Sequence, residues 1–362
     1  MMKYGHGGDI YTYKNMLDFS VNINPLGPPK RVTEAAKRGV ALMAAYPDSQ
    51  CRKLREKLAR KQNIPEDNYI FGNGAAELIY TLVLAERPER ALIPVPAFSE
   101  YEQALETVGC EIIYHKTKEN NFFCIDESFL DELDESLDIV FLCSPVNPSG
   151  HVINKELIQR TAERCEDLGI RLVLDECFVE FLPDPGKYSM ISEADKYRQL
   201  FILRAFTKIY AMPGLRLGYG ISSDSELLEA MGRMRQPWSV SIPAQEAGAA
   251  ALDEDDYVVR ARQLVADERK YLETELHKAG IKFISSDINF ILLYAELNLF
   301  DEMRDRGILI RNCENYRGLG KGWYRIAVRT HEENSSLINT LRAIVGGNNE
   351  DKNKTERVED DR

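Results

Sequence analysis

The chain contains 362 residues, of which 44% are hydrophobic and 29% charged, and its formal net charge is -12. This length and composition are typical of a globular chain of about two domains with a buried core. The negative charge argues against nucleic acid as a partner, because such binding depends on clustered lysine and arginine side chains that neutralise phosphates.

The chain begins with MMKYGHGGDIYTYKN, which lacks the apolar run that a signal peptide requires. No later stretch approaches the ~20 consecutive apolar residues that span a membrane. The seven cysteines are scattered, without the paired spacing of a zinc site, so we expect reduced thiols and no bound metal. These features predict a cytoplasmic protein without membrane association.

Short apolar runs alternate with amphipathic stretches through the first two thirds of the chain. Strands are predicted at 91–95, 138–143, 170–175 and 200–204, and helices at 74–86, 99–109 and 154–168. Buried strands that alternate with helices are typical of a mostly parallel sheet covered by helices. The pattern therefore predicts an α/β fold for this part of the chain.

The pattern changes after residue 253, where a long charged helix is predicted. Strand-like runs at 288–294 and 324–329 and a helix at 332–345 follow, which indicates a smaller α+β domain. The last 15 residues include one apolar residue and are expected to form a disordered acidic tail. The predicted division is an N-terminal arm, a large domain, a small C-terminal domain and the tail, at 1–29, 30–252, 253–347 and 348–362.

A lysine stands among apolar and aromatic residues in LRAFTKIYAMPGLRLGYG, residues 203–220. Lysines in loops are usually solvated, but the neighbours of Lys208 are expected to desolvate its amine, which lowers the pKa of a lysine and makes it a nucleophile. Such an amine reacts with aldehydes, and the best-known aldehyde cofactor of proteins is pyridoxal 5'-phosphate (PLP). The sequence therefore raises the hypothesis of a PLP site at Lys208.

A PLP site also needs a place for the cofactor's phosphate. Gly74, Ala75 and Ala76 lie where a helix is predicted to begin, and free backbone N–H groups at a helix start bind anions. Arg216 could add a fixed positive charge and Thr207 a hydroxyl group. A glycine-rich structural turn is the alternative interpretation of the first three residues.

Two polar residues follow predicted strands, at the edge where sheets of this kind bind ligands. Asp175 ends the run LVLD, where a carboxylate could keep the pyridine nitrogen of PLP protonated. Asn147 lies in LCSPVNPSG, between prolines that fix the loop. A capping aspartate and a plain Pro-Asn turn are the alternative interpretations.

Together, these motifs resemble the class I/II aminotransferase superfamily of fold-type I PLP enzymes over about residues 17–345. TKIYAMPGLRLGY matches the superfamily's lysine motif, which implies that Lys208 binds PLP covalently and Arg216 binds its phosphate. NPSG matches the Asn-Pro-x-Gly signature, which implies that Asn147 bonds the O3' oxygen, and Asp175 takes the position opposite the pyridine nitrogen. The resemblance implies a mostly parallel seven-stranded sheet between helices, with a smaller α+β domain.

Two further segments extend the resemblance, and two residues depart from it. PAFSEY implies that Phe98 stacks on the cofactor ring, and AYPDSQCRKLREKLA implies that Tyr46 reaches the cofactor phosphate of a partner subunit in a homodimer. Relatives often carry Ser or Thr where this chain has Ala205, so phosphate binding is expected to depend more on its neighbours. Aminotransferases commonly carry Tyr where this chain has Phe178, which argues against ordinary transamination.

Within the superfamily, YGHGGDIY and LDFSVNINPLGPP resemble the threonine-phosphate decarboxylases of cobalamin synthesis, whose N-terminal arm folds over a phosphorylated amino acid. The resemblance implies that the substrate phosphate and carboxylate are bound by His6, Gly7, Asn22, Asn147, Arg311 and Arg325. Arg325 is assigned to the carboxylate, with help from Asn147, and Arg329 could exchange roles with it. Mobile terminal residues and surface salt bridges are the alternative interpretations.

The resemblance therefore implies PLP-dependent decarboxylation of O-phospho-L-threonine or O-phospho-L-serine. A histidinol-phosphate aminotransferase, which shares the fold and the cofactor, is the enzymatic alternative. A PLP-fold regulator is the non-enzymatic alternative, but it would be expected to carry an added DNA-binding domain, for which the 29 residues before the first predicted domain helix leave no room. The decarboxylase is the function that the sequence favours.

Overall fold

A seven-stranded sheet organises most of the chain. The computed structural model describes the backbone of residues 5–360 and the side chains of residues 5–346. The strands are β1 (Leu17–Asp18), β2 (Tyr69–Gly72), β3 (Arg90–Val95), β4 (Glu111–Lys116), β5 (Ile139–Cys143), β6 (Arg171–Asp175), β7 (Leu200–Ala205), β8 (Gly218–Ile221), β9 (Lys282–Ile284), β10 (Phe290–Tyr294), β11 (Ile308–Leu309), β12 (Arg311–Asn312) and β13 (Trp323–Ala327).

The order of the large sheet is β2-β8-β7-β6-β5-β3-β4, and β8 is antiparallel to both of its neighbours. The other pairings along the sheet are parallel. Successive side chains of a strand point to opposite faces, and in β6 Leu172 and Leu174 enter one hydrophobic cluster while Val173 enters another. Both faces of the sheet are therefore buried, as the continuous apolar runs of the sequence predict.

Helices cover both faces of the large sheet and extend beyond it. They are α1 (Lys30–Val40), α2 (Arg52–Gln62), α3 (Ala75–Glu86), α4 (Ser99–Glu106), α5 (Lys155–Leu168), α6 (Pro185–Tyr188), α7 (Ser225–Met234), α8 (Ile242–Ala251), α9 (Asp255–Lys278), α10 (Leu299–Arg304) and α11 (His331–Asp360). Residues of α3, α4 and α7 pack on one face of the sheet. Residues of α2, α5 and α8 pack on the other.

A second sheet of four antiparallel strands, β12-β13-β10-β9, follows α9. The first half of α9 packs in the core of the large sheet through residues such as Ala261, whereas Leu272 and Leu276 pack in the core of the second sheet. This helix therefore joins the two cores. The predicted division into domains remains a proposal.

The last helix differs from the sequence-based expectation. α11 is helical in its backbone through Asp360, where the sequence analysis expected a disordered tail at 348–362. Charged residues such as Glu, Lys and Arg have high helix propensity, so a polar composition does not by itself end a helix.

No helix in the described part of the chain is long and apolar enough to cross a membrane.

The N-terminal arm contacts the second sheet, where the N–H of Ala327 on β13 donates to the carbonyl of Phe19 at 2.9 Å, and it contacts the loop after β7. Strand β1 pairs in parallel with β11, beside the small sheet. Six residues after β1, the backbone N–H of Asn24 donates to the carbonyl of Lys208 at 3.1 Å, and its Nδ2 donates to the carbonyl of Ile209 at 2.7 Å. The arm is therefore fixed to the small sheet at one point and to the loop after β7 at the next.

Candidate active site

A cavity lies at the carboxyl ends of β5, β6 and β7, where the sheet, the N-terminal arm and the strands β12 and β13 meet. All the site residues predicted from the sequence except Gly74 and Tyr46 line it. Parallel sheets bind ligands at this edge, because the loops that leave the strands converge there. The structure therefore brings residues from the whole length of the chain into one place.

Lys208 lies in the loop after β7, and its amine faces the cavity. Burial, together with the positive charges of Arg325 and Arg216, lowers the pKa of Lys208 to about 8, against the opposing effect of Asp175. Its Nζ lies 5.4 Å from the centre of the Phe178 ring. An amine with this pKa is partly uncharged near neutral pH and can act as a nucleophile, as the sequence predicts.

Asp175 ends β6, and 7% of its surface is exposed. One carboxylate oxygen accepts from the hydroxyl of Tyr101 at 2.6 Å, and the other accepts from the backbone N–H of Cys177 at 2.9 Å. Burial, together with the charge of Asp175, raises the pKa of Tyr101, so this hydroxyl remains a donor. Tyr101 was not predicted, although it is the last residue of the PAFSEY segment.

The start of α3 forms a cradle with Arg216. Gly74 precedes the helix with a φ of +82°, and a Cβ at this position would lie 2.4 Å from Nη2 of Arg216. In the part of the chain that the structure describes, no side chain caps the first N–H groups of α3. Ala75 and Ala76, in its first turn, line the cavity, as does Thr207. Free N–H groups and a guanidinium at one helix start are a donor set that suits a phosphate.

The donor set of the cavity therefore fits PLP. A buried amine, a buried carboxylate and a phosphate cradle are the three features that this cofactor requires. Phe98 lines the same cavity and stands edge-on to Tyr101, with ring centres 5.8 Å apart. Ala205 and Phe178, the two residues that depart from the superfamily pattern, also line the cavity. Ala205 offers no hydroxyl group there, and Phe178 offers an apolar ring.

Two arginines from the second sheet complete the wall. Arg325, on β13, is 6% exposed; it donates to Oδ1 of Asn147, and to the carbonyl of Ser20 at 3.2 Å. Arg311, on β12, donates to the carbonyl of Gly5 at 2.5 Å. Among the described residues, the hydrogen-bond partners of both guanidinium groups are carbonyl, amide and hydroxyl oxygens. Two positive charges that face a cavity in this way favour an anionic ligand.

Arg329, the predicted alternative to Arg325, has a different environment. Its Nη2 pairs with Glu333 at 2.7 Å, and its Nη1 donates to the carbonyl of Asp18 at 2.9 Å. It does not line the cavity among the described residues. The geometry therefore favours Arg325 over Arg329 as a ligand of an anion in this cavity.

The N-terminal arm closes the cavity with His6, Gly7 and Asn22. Nε2 of His6 lies 3.1 Å from Oε1 of Glu100, at the start of α4. A Cβ on Gly7 would lie 2.3 Å from the carbonyl oxygen of Ser20, so only glycine fits this approach. Asn22 is 2% exposed, and its Oδ1 has no hydrogen-bond partner in the described part of the chain. At the wall of a cavity, a buried polar atom without a partner is available to hydrogen-bond a ligand or a water molecule.

Tyr46 lies outside this cavity. It is 78% exposed and stacks on Trp238, with ring centres 4.5 Å apart. Leu42 and Met43, close to Tyr46 in sequence, are also exposed; the four residues Leu42, Met43, Tyr46 and Trp238 are called the Tyr46 patch below. The structure does not bring Tyr46 to the cavity of its own chain.

A lysine of lowered pKa, a buried carboxylate and a glycine–arginine cradle, at the carboxyl ends of parallel strands, define a PLP-dependent enzyme of fold type I. The family model "Aminotransferase class I and II" matches residues 14–341, and the chain belongs to this family. The fold class, the family and the PLP cofactor predicted from the sequence are thereby confirmed. The roles of the individual site residues remain predictions.

Named relatives and solved structures agree with this assignment. The chain is 35% identical to the "Threonine-phosphate decarboxylase" of Salmonella typhimurium, covering 94% of this chain and 97% of that one. It is 32% identical to the "Histidinol-phosphate aminotransferase" of Symbiobacterium thermophilum, covering 92% and 91%. The crystal structure of the histidinol-phosphate aminotransferase from Clostridium acetobutylicum matches with a TM-score of 0.86 and 31% identity, covering 92% of this chain and 100% of that one.

Proposed function

We propose that the protein decarboxylates O-phospho-L-threonine, or its near relative O-phospho-L-serine, with PLP as cofactor. The observation that carries the proposal is the wall opposite Lys208, where Arg311 and Arg325 face the cavity beside His6 and Asn22 of the arm. A substrate with a carboxylate at one end and a phosphate at the other provides one anion for Arg325 and one for Arg311. The Salmonella relative, named for this reaction, supports the same substrate class.

The residues of the chain would select the reaction by orienting the substrate. When bound, PLP supplies an electron sink for whichever bond of the substrate's α-carbon stands perpendicular to its ring. Arg325 and Asn147 would hold the carboxylate, while His6, Asn22 and Arg311 would hold the phosphate. With both ends fixed, the bond between the α-carbon and the carboxylate would be oriented for cleavage, so that carbon dioxide would leave and a proton would replace it on the α-carbon.

The groups around the cofactor position would support this chemistry. Asp175, held by Tyr101 and the N–H of Cys177, would keep the pyridine nitrogen protonated. The start of α3 and Arg216 would hold the phosphate of the cofactor. Lys208, with its pKa of about 8, can hold a proton or release it within the same cavity.

The products would be carbon dioxide and either aminopropanol phosphate or ethanolamine phosphate, for the lower loop of a cobamide. The two substrates differ by one methyl group, which a pocket discriminates by only ~1–3 kcal/mol. We therefore expect measurable activity on both substrates.

The second candidate is histidinol-phosphate aminotransferase, which the similarity to the Clostridium acetobutylicum structure favours. That activity requires the site also to accept glutamate and 2-oxoglutarate. Phe178 lies where aminotransferases commonly have a tyrosine, and the arm with His6 matches the decarboxylase branch. These two features favour decarboxylation.

A parallel assay separates the two candidates. One vessel contains the PLP-loaded protein with O-phospho-L-threonine or O-phospho-L-serine and is scored for carbon dioxide. The other contains histidinol phosphate and 2-oxoglutarate and is scored for glutamate. Carbon dioxide without glutamate is the expected result, and glutamate without carbon dioxide would assign the protein to the aminotransferases.

The assembly and the location are part of the proposal. We propose a homodimer in which Tyr46 reaches the cofactor phosphate of the partner subunit, because the Tyr46 patch is exposed and apolar. We place the protein in the cytoplasm, because all seven cysteines are free in the structure and thiols stay reduced there.

A further inference from the structure

The two arginines of the cavity wall are direct neighbours across the second sheet. In the antiparallel pairing of β12 with β13, Arg311 lies opposite Arg325. Side chains of directly opposite residues lie on the same face of a sheet, and like charges in this arrangement are destabilising. The sheet therefore holds two positive charges side by side, and something must keep their guanidinium groups apart.

Arg325 is the fixed member of the pair. Its guanidinium donates to Asn147 and Ser20, as described above, and lies 5.2 Å from the centre of the Phe290 ring. The contacts of Arg325 therefore come from the loop after β5, from the N-terminal arm and from β10. With contacts on several sides, this side chain has little freedom to move.

Arg311 is held by a single turn of the chain and by the arm. Its guanidinium lies 5.4 Å from the centre of the Tyr316 ring, and its Nη2 donates to Oδ1 of Asn315 at 2.9 Å. Among the residues that the structure describes, its other hydrogen bond goes to the carbonyl of Gly5 in the arm. The position of Arg311 therefore depends on the turn that contains Asn315 and Tyr316.

Tyr316 contacts both arginines at once. Its hydroxyl accepts from Nη1 of Arg325 at 3.3 Å, while its ring lies beside the guanidinium of Arg311. Two turn hydrogen bonds hold the backbone of Tyr316. Its N–H donates to the carbonyl of Cys313 at 3.0 Å, and its carbonyl accepts from the N–H of Leu319 at 3.0 Å. It is 9% exposed and lines the cavity.

We propose that Tyr316 is a positioning residue that sets the separation between Arg311 and Arg325, so that the site selects ligands whose two anionic groups lie a fixed distance apart. The inference rests on the doubly anionic substrate of the proposed function. A tyrosine suits this role, because its rigid ring spans the gap and its two ends interact with cations in different ways. Sequence motifs give no indication of this role.

The test measures the preference for ligand length in the PLP-loaded protein. Phosphonoacetate, 3-phosphonopropionate and 4-phosphonobutyrate carry the same two anionic groups at increasing separation, and they lack the amine that would react with the cofactor. Calorimetric titration is expected to show that the wild type binds one of them about tenfold more tightly than the other two. In Tyr316→Ala, the three affinities are expected to fall within about threefold of one another.

Two further variants make the result specific. Tyr316→Phe keeps the ring beside Arg311 but loses the bond to Arg325, and we expect an intermediate preference. Tyr114→Ala is the matched control, because it removes a ring that lies 4.2 Å from the guanidinium of Arg317 but does not line the cavity among the described residues. It is expected to keep the preference of the wild type.

Uniform weakening of all three ligands in Tyr316→Ala, with the preference retained, would overturn the proposal, as would a wild type without preference. If Tyr316→Ala does not fold, Tyr316→Phe decides the question, and an unchanged preference in that variant would count against the proposal. The ligands do not react, so the result is independent of the bond that the enzyme breaks. Failure of the carbon dioxide assay would overturn the proposed function alone.

Discussion

At the scale of single residues, the environment of Lys208 determines when its amine can react. Burial and the neighbouring arginines disfavour the charged form, and they lower its pKa from 10.5 to about 8. The uncharged amine therefore becomes abundant at a pH about two and a half units lower than in a solvated lysine. The site thus provides a nucleophile at a pH where an ordinary lysine remains protonated.

We expect the acylation rate of Lys208 in the cofactor-free protein to rise with pH to a midpoint near 8. Brief treatment with acetic anhydride over a range of pH, followed by peptide mass spectrometry, measures this midpoint. The pooled exposed lysines of the same digest serve as the control. A midpoint near 10 for Lys208 would contradict the desolvated environment.

His6→Ala is expected to raise KM for O-phospho-L-threonine by about tenfold or more, the scale of one hydrogen bond to a charged group. Cofactor affinity should change little, because the cofactor's predicted ligands lie outside the arm, on β6, at the starts of α3 and α4 and in the loops after α1, β5 and β7. Steady-state kinetics and a PLP titration measure the two quantities. His277→Ala, at an exposed position on α9, is the control. An unchanged KM would return His6 to the interpretation as a solvated terminal residue.

Some site residues could be predicted from the sequence and others could not. Lys208, Asp175 and Asn147 stand in contiguous motifs whose neighbours specify their surroundings. Tyr101 acts through Asp175, 74 residues further along the chain, and Tyr316 acts through two arginines of facing strands. Their roles arise from contacts that only the folded chain creates.

At the scale of elements, the close packing of β8 against the start of α3 shapes the phosphate cradle. A Cβ on Gly218 would lie 2.4 Å from the backbone nitrogen of Ala75 and 2.7 Å from the carbonyl carbon of Gly74. Backbone atoms cannot move aside as the end of a side chain can. The position of this helix start is therefore set by the absence of a side chain on the neighbouring strand.

Gly218→Ala is expected to displace the start of α3, to lower the free energy of unfolding by ~1–3 kcal/mol and to weaken PLP binding. Gly214→Ala, four residues earlier, is the matched control, because no atom lies within 4 Å of its added Cβ. Denaturant unfolding and a PLP titration measure both effects. Equal behaviour of the two variants would show that the contact does not shape the cradle.

The central strands were predictable because they are long, apolar and buried on both faces, as in β5, β6 and β7. Strands β2 and β8 were not predicted, since each has four residues and glycine in its sequence, which weakens the strand pattern. The pairing of β1 with β11 was not predictable either, because each of these strands has two residues. Short strands are defined by their partners rather than by their own residues.

At the scale of the whole molecule, the Tyr46 patch is the feature that points to assembly. Tyr46 and Trp238 are 78% and 48% exposed, yet their rings stack on one another. Large apolar side chains that remain exposed together are typical of protein–protein interfaces. A single chain leaves this patch in water, whereas a dimer would cover it.

If the proposed dimer forms, Trp238→Asp is expected to convert it to a monomer and to reduce turnover strongly, because Tyr46 would then not reach the cofactor site of a partner. Sedimentation velocity and the carbon dioxide assay measure the two effects. Val259→Asp, at an exposed apolar position on α9, is the control. A monomeric wild type, or a monomeric variant with full activity, would argue against a shared site.

The arm has a practical consequence for anyone who produces this protein. Gly5 bonds to Arg311 and His6 reaches Glu100, so the first described residues of the chain already belong to the wall of the cavity. An affinity tag joined shortly before Gly5 would begin close to the cavity and would compete with a ligand for it. A purification tag therefore belongs at the other end of the chain, and a preparation with an uncleaved N-terminal tag would understate the activity of the enzyme.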